Sequence, residues 1–248
     1  MSVILEFDLG NSCGKWRQLR AGAVMARGSL SYADLHRGLL SGESALVRPQ
    51  RVRAANVAGA QVAGALQQVI GDRFGLPVEF ARVEPDCAGV TCAYRDVGRL
   101  GVDRWLAVLA AHQRYPGPAL VADCGSALTL DLLGAGGQHL GGYILPGLEL
   151  MHRALFRDTD AVKVALDPSP GMSLSPGRDT EEAVNRGLLL MALGAVERSL
   201  RLLQFQSGGA GPRLWLTGGD AALISSFCEW PYQIVPDLVL DGLALTNP

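Results

Sequence analysis

Leu5-Glu6-Phe7-Asp8-Leu9-Gly10-Asn11 and Val121-Ala122-Asp123-Cys124-Gly125-Ser126 decide the fold of this 248-residue chain. Each is a short β-rich run that ends in Asp-x-Gly and a small polar residue, the composition of a strand entering a turn. Each also opens a matching series. After the first, Trp16 to Met25 read as the returning strands of a meander. Tyr32 to Leu40 and Val62 to Phe74 then show helical spacing, with a strand over Arg51 to Val57 between them and a further helix over Val102 to Gln113. Pro116-Gly117-Pro118 is the strongest linker signal, and beyond it the pattern restarts. Strands are expected over Ala119 to Ala122, Leu128 to Leu133 and His139 to Leu145, with Gly134 to Gly137 as a hairpin turn and a helix from about Leu148. The repetition reads as an internal duplication: two α/β lobes, residues 1–116 and 117–248, joined near residue 117.

Asp167 to Gly177 holds three prolines and two glycines and is expected to be a loop. Asp179 with Glu182 forms an N-cap and capping box for a long helix to about Leu203. Its apolar residues cover more than one narrow face, as in a helix buried in a core or shared with a subunit. Leu214-Trp215-Leu216 is one more strand, and it runs into Thr217-Gly218-Gly219-Asp220.

Composition removes several classes of function. Hydrophobic residues make up 48% and charged residues 19%, enough for a core and too apolar for disorder. The net charge of −2, with no long run of Lys and Arg, excludes nucleic acid as an expected partner. The five cysteines form no C-x-x-C pair and the four histidines lie far apart, so neither a disulfide framework nor a zinc site is expected. Odd cysteine usage fits a reducing, cytoplasmic setting. The longest apolar stretch, Leu188 to Val196, is about half what a membrane span requires. The N-terminus reads as a strand containing Glu6 rather than as a signal peptide.

There is no G-x-x-x-x-G-K-[ST] and no G-x-G-x-x-G. What remains is three strand-then-glycine turns. An Asp at a strand end can hold Mg²⁺ through its carboxylate, and the following Gly lets backbone N–H groups approach phosphate oxygens. Two such turns facing each other across a cleft would grip a nucleoside triphosphate, with Lys15 adding a cation. Singly, each Asp-x-Gly is also ordinary turn chemistry. The third turn offers Gly218 and Gly219 to an adenine or ribose; it is equally a strand-to-helix turn capped by Thr217 or Asp220. In Gly101-Val102-Asp103-Arg104-Trp105 a carboxylate stands beside a guanidinium at a helix start. That is a dipole-favoured Asp with a solvated Arg, or a general base with an anion clamp. Gly141-Gly142 inside a strand argues for close approach of a ligand or of a packed neighbour.

Five segments together resemble a known family. Asp8-Leu9-Gly10-Asn11-Ser12-x-x-Lys15 resembles the first phosphate motif of type III pantothenate kinases, and Gly101-Val102-Asp103-Arg104 their G-x-D-R substrate motif. Asp123-Cys124-Gly125-Ser126-Ala127-Leu128-Thr129-Leu130-Asp131 resembles the second phosphate motif, D-x-G-T-A-x-T-x-D. Gly141-Gly142-x-Ile144-x-Pro146-Gly147 and Leu216-Thr217-Gly218-Gly219-Asp220 match two more segments, in the family's order. The resemblance implies an actin-like fold of two ribonuclease-H-like lobes with a nucleotide cleft between them. It implies ATP with Mg²⁺ and pantothenate as substrates, and a homodimer with the long C-terminal-half helix at the contact. By the same resemblance Asp8 serves Mg²⁺, Asp103 accepts the proton, and Asp123 binds a monovalent cation, K⁺ or NH₄⁺. Gly10, Asn11, Ser12, Lys15, Gly125, Ser126, Gly218 and Gly219 would meet ATP. Tyr94, Gly101, Val102, Asp103, Arg104 and Thr180 would line the pantothenate pocket, Thr180 from the other subunit. Ser12 and Ser126 stand where Thr is usual, and Cys92 where Asn is frequent. Two other functions share the fold: a non-catalytic relative acting as a transcription accessory factor, and a kinase for another small hydroxyl acceptor.

Overall fold

The structure, a computed structural model, describes residues 2–40, 46–159, 163–209 and 211–247. In chain order the elements are β1 (Val3–Leu9), β2 (Gly14–Arg20), β3 (Ala23–Leu30), α1 (Tyr32–Leu35), β4 (Arg51–Asn56), α2 (Ala60–Phe74), β5 (Val78–Phe80), β6 (Asp86–Cys87), β7 (Val90–Thr91) and α3 (Val102–Arg114). They continue with β8 (Ala119–Cys124), β9 (Ala127–Leu133), β10 (His139–Pro146), α4 (Leu148–Asp158), α5 (Thr180–Gln206), β11 (Arg213–Thr217), α6 (Ala221–Ser225), β12 (Tyr232–Ile234) and α7 (Leu238–Thr246). The chain forms two compact units: Met1–Ala88 with Tyr94–Ala110 and Leu238–Pro248, and Gly89–Ala93 with Ala111–Asp237.

In the first unit the sheet order is β3-β2-β1-β4-β5, antiparallel across β1, β2 and β3 and parallel across β1, β4 and β5. Alternation along β1 explains both of its faces. Leu5, Phe7 and Leu9 pack with Val52, Leu66, Ile70 and Phe74 into an apolar core under α2. Glu6 points the other way and is fully buried. It sits in register with Arg17 on β2 and Arg53 on β4. Arg17 Nε donates to Glu6 Oε2 at 2.5 Å and Arg53 Nε to Glu6 Oε1 at 2.9 Å, so the buried charge is matched on both sides. Arg17 Nη1 also donates to Asp241 on α7, and Arg53 Nη1 to the Asn247 carbonyl. This ion cluster draws the last helix back to the first sheet. At Gly242 an added Cβ would lie 2.3 Å from the Leu106 carbonyl of α3, so only glycine allows that approach.

The partition therefore differs from 1–116 and 117–248: it falls inside α3, and α7 belongs with β1 and β4. The helix expected over Tyr32 to Leu40 is the single turn α1. Ser31 Oγ caps it by accepting from Asp34 N, and Gly38, at φ +79°, turns the chain.

The second unit repeats the arrangement. Its order is β10-β9-β8-β11-β12, with the same two antiparallel and two parallel pairings. Leu120, Ala122, Leu128, Leu130 and Leu132 meet Leu188, Leu189, Ala192, Val196 and Leu200 of α5 in its core. Asp179 Oδ1 accepts from Glu182 N at 2.8 Å, as an N-cap should. The Glu182 carboxylate returns to Arg178 N, one residue before the cap, at 2.9 Å.

Candidate active site

The first turn leaves β1 at Leu9 and re-enters the sheet at Gly14. Asp8 and Lys15 face each other in register, and Lys15 Nζ lies 3.4 Å from Asp8 Oδ2. The intervening Asn11, Ser12 and Cys13 are exposed. Tyr32, at the start of α1, donates its hydroxyl hydrogen to the Gly10 carbonyl and so ties the loop to the helix. Burial, then the neighbouring Cys13 and Asp8, push the Tyr32 phenol up to about 12. Tyr32 carries only a faint sequence signal, an aromatic at a helix start, because its partner is the Gly10 backbone far back in the chain.

The Asp103-Arg104 pair lies at the first turn of α3, in the same unit. Asp103 Oδ1 accepts from Arg104 N at 2.8 Å. It folds so closely over Gly101 that an added Cβ there would stand 2.6 Å from Asp103 Oδ1. Arg104 is buried rather than solvated. Its Nη1 donates to the Tyr94 hydroxyl at 2.8 Å, and its guanidinium carbon lies 5.7 Å from the Tyr94 ring centroid. Three residues expected to share a pocket, Tyr94, Asp103 and Arg104, are thus in one hydrogen-bonded group.

In the second unit three sequence-distant turns converge. The turn after β8 is only Gly125-Ser126, closed by Gly125 N donating to the Ala127 carbonyl at 3.1 Å. Gly147 N donates to the Ser126 carbonyl at 3.0 Å, and a Cβ on Gly147 would fall 2.2 Å from the Gly125 carbonyl oxygen. Asp220 N donates to the Cys124 carbonyl at 2.9 Å. Gly218, at φ +87°, lies where a Cβ would be 2.5 Å from Asp123 Oδ1. Pro146-Gly147 is therefore a packed neighbour of the Gly125-Ser126 turn, and the Gly218 backbone packs directly against Asp123. Asp220 N-caps α6 by position, yet its side chain makes no cap bond. Burial, then Glu149, raises the Asp220 carboxyl above the ordinary carboxylate range, and burial, then Asp123, raises the Cys124 thiol. Thr180 is the exposed first residue of α5 in this unit.

Among the described residues no group of three or more His, Cys, Asp or Glu could cage a metal ion. Mg²⁺ is commonly held by one or two carboxylates and the substrate's phosphates, and a strand-end acid such as Asp8 suits that mode.

The two units, each with a central strand running into Asp-x-Gly and the same five-strand order, place the protein in the actin-like fold class, built from two ribonuclease-H-like units. Solved structures of this shape include one from Campylobacter jejuni described as a Baf family transcriptional activator (TM-score 0.56, 20% identity, 97% of this chain and 95% of that one). Another, from Sinorhizobium meliloti, is described as a 2-dehydro-3-deoxygalactonokinase (TM-score 0.55, 15% identity, 97% of each chain). At these identities they speak to the fold alone. The chain belongs to the type III pantothenate kinase family, whose model matches residues 4–201. It is 39% identical over 249 residues to a type III pantothenate kinase of Chromohalobacter salexigens, covering 99% of this chain and 88% of the relative. It is 40% identical over 256 residues to one of Azotobacter vinelandii, covering 99% of each.

Proposed function

We propose that this protein transfers the γ-phosphoryl group of ATP to the primary hydroxyl of pantothenate, the entry step to coenzyme A. The observation that carries the reading is the group at the start of α3: a carboxylate fixed by a backbone N–H, next to a buried guanidinium held by a tyrosine. Phosphoryl transfer asks a protein mainly for positioning and charge neutralisation. Asp103 accepts the hydroxyl proton as the acceptor oxygen bonds to the γ-phosphorus and ADP leaves. Arg104, kept in place by Tyr94, orients the acceptor through its carboxylate; Gly101 and Val102 complete that segment, and Thr180 contributes from a second subunit. Gly10, Asn11, Ser12 and Lys15 of one turn and Gly125 and Ser126 of the other serve the phosphates, while Gly218 and Gly219 serve the nucleoside. Asp8 would hold Mg²⁺, which would supply charge neutralisation at the phosphates, and Asp123 would hold K⁺ or NH₄⁺.

A homodimer and a cytoplasmic location are part of the same reading. Leu190 and Met191 on α5 and Phe156 on α4 are exposed apolar residues that a second copy would cover. Among the described residues no helix is long and apolar enough to cross a membrane, and all five cysteines are free.

ADP release from ATP and Mg²⁺, with and without pantothenate and in K⁺ against Na⁺, tests the proposal. Pantothenate-dependent release that K⁺ stimulates is the expected result. Asp103→Asn should lower turnover by roughly 10²–10⁴-fold with ATP binding and thermal midpoint kept. Full activity of that variant would remove the proton-acceptor role, and no release from folded wild-type protein would redirect the search to another acceptor.

A further inference from the structure

Asp131 closes the second phosphate motif in sequence, but the structure does not bring it to the phosphate turn. It lies buried in β9, and its Oδ1 stands 3.1 Å from Nε2 of His139 on β10, also buried. The register explains the meeting. His139 pairs with Leu133, and a bulge between His139 and Gly141 then shifts the ladder so that Gly142 pairs with Asp131. His139 and Asp131 are left as diagonal neighbours on one face of the sheet. The leucines Leu128, Leu130 and Leu132 of β9 alternate onto the opposite face, into the α5 core.

The other ring nitrogen faces residues 89–93. Ala93 N donates to His139 Nδ1 at 3.4 Å. A backbone N–H can only donate, so Nδ1 must carry the lone pair and the proton must sit on Nε2, toward Asp131. The carboxylate thus selects the tautomer that can receive Ala93. The same segment is laid against the β9–β10 connection at two more points. Thr91 bridges Gln138, and Gly137 approaches the Gly89 carbonyl so closely that a Cβ would fall 1.9 Å from its oxygen. Ala93 is followed directly by Tyr94, the residue that holds Arg104.

We propose that Asp131 and His139 are a positioning pair for the acceptor site: Asp131 sets the imidazole tautomer, His139 fixes Ala93, and the next peptide bond carries that placement to Tyr94. The proposal rests on the reading that Tyr94 and Arg104 receive pantothenate. It assigns the last acid of the second phosphate motif to the acceptor and not to ATP.

Four proteins test it: the wild-type chain, Asp131→Leu, His139→Gln and His139→Asn. Glutamine keeps a donor near the Nε2 position and loses the acceptor for Ala93. Asparagine places an acceptor oxygen near the Nδ1 position. Asp131→Leu and His139→Gln should raise the KM for pantothenate about tenfold, the scale of one lost buried hydrogen bond, with kcat and the KM for ATP unchanged. His139→Asn should restore the KM toward wild type. Amide hydrogen exchange read in parallel should quicken over residues 90–95 in the first two variants and stay unchanged over 123–127. A rise in the KM for ATP, a uniform fall in all parameters together with stability, or unchanged exchange over 90–95 would each overturn the proposal. Exchange also separates the two readings. Wild-type protein that ignores pantothenate removes the acceptor assignment, whereas unchanged exchange removes the positioning pair itself.

Discussion

Asp8-Leu9-Gly10 and Asp123-Cys124-Gly125 occupy the same place in two sheets of identical strand order, yet the loops that follow them differ in length and in support. Residues 10–13 separate β1 from β2, whereas residues 125–126 alone separate β8 from β9. The longer loop is exposed and is braced by side chains: Tyr32 on the Gly10 carbonyl and Lys15 against Asp8. The shorter one is braced by backbone, with Gly147 and Gly218 pressed against Gly125, Cys124 and Asp123 where no side chain fits. A duplicated strand pattern thus preserves pairing and turn position, while each copy recruits its own means of holding the turn rigid. Tolerance to substitution should follow that division.

The largest expected effect is in the backbone-braced turn. Gly218→Ala combines a left-handed φ with a Cβ 2.5 Å from the Cys124 carbonyl carbon, and should cost about 3 kcal/mol or more in chemical denaturation along with most of the turnover. Near-wild-type stability would show that this turn can shift and would break the contrast. In the side-chain-braced turn, Tyr32→Phe removes one hydrogen bond, so a loss of about 1 kcal/mol and a several-fold rise in the KM for ATP are expected. Lys15→Met should change stability by less than about 1 kcal/mol, since its ion pair is partly exposed, and should act on ATP affinity instead. The finest test is alkaline pH. With the folded Tyr32 phenol at about 12 against an ordinary 10, its contribution is fully present below pH 10 and is lost as pH rises toward about 12. Stability curves for wild type and Tyr32→Phe should therefore converge across that window, and parallel curves would show that Tyr32 is not the group concerned.

The strands and turns on which the candidate site residues stand were legible because their signals are local. Alternating apolar residues ahead of Asp-x-Gly identify β1 and β8, and the motif order led to Asp103 and Arg104. Four features were not legible. The place of α7 depends on Arg17 meeting Asp241 across most of the chain, which no local pattern announces. Tyr32 was hidden in a stretch read as a longer helix. The role of Gly147 depends on Gly125, which lies in another turn. Asp131 appeared to be part of a phosphate motif, and only the β10 bulge reveals its partner His139.

Sequence alone therefore determined the period of the strands, the positions of the turns, the acidic residues at their ends and the absence of other nucleotide fingerprints. These depend on residues close together in the chain, where dihedral preference and side-chain period act directly. Tertiary structure decided which turns meet, which helix covers the first sheet and which buried side chain Asp131 meets. Those outcomes rest on contacts a few ångströms long between residues tens to hundreds of positions apart, and no local pattern encodes a partner that only folding brings near.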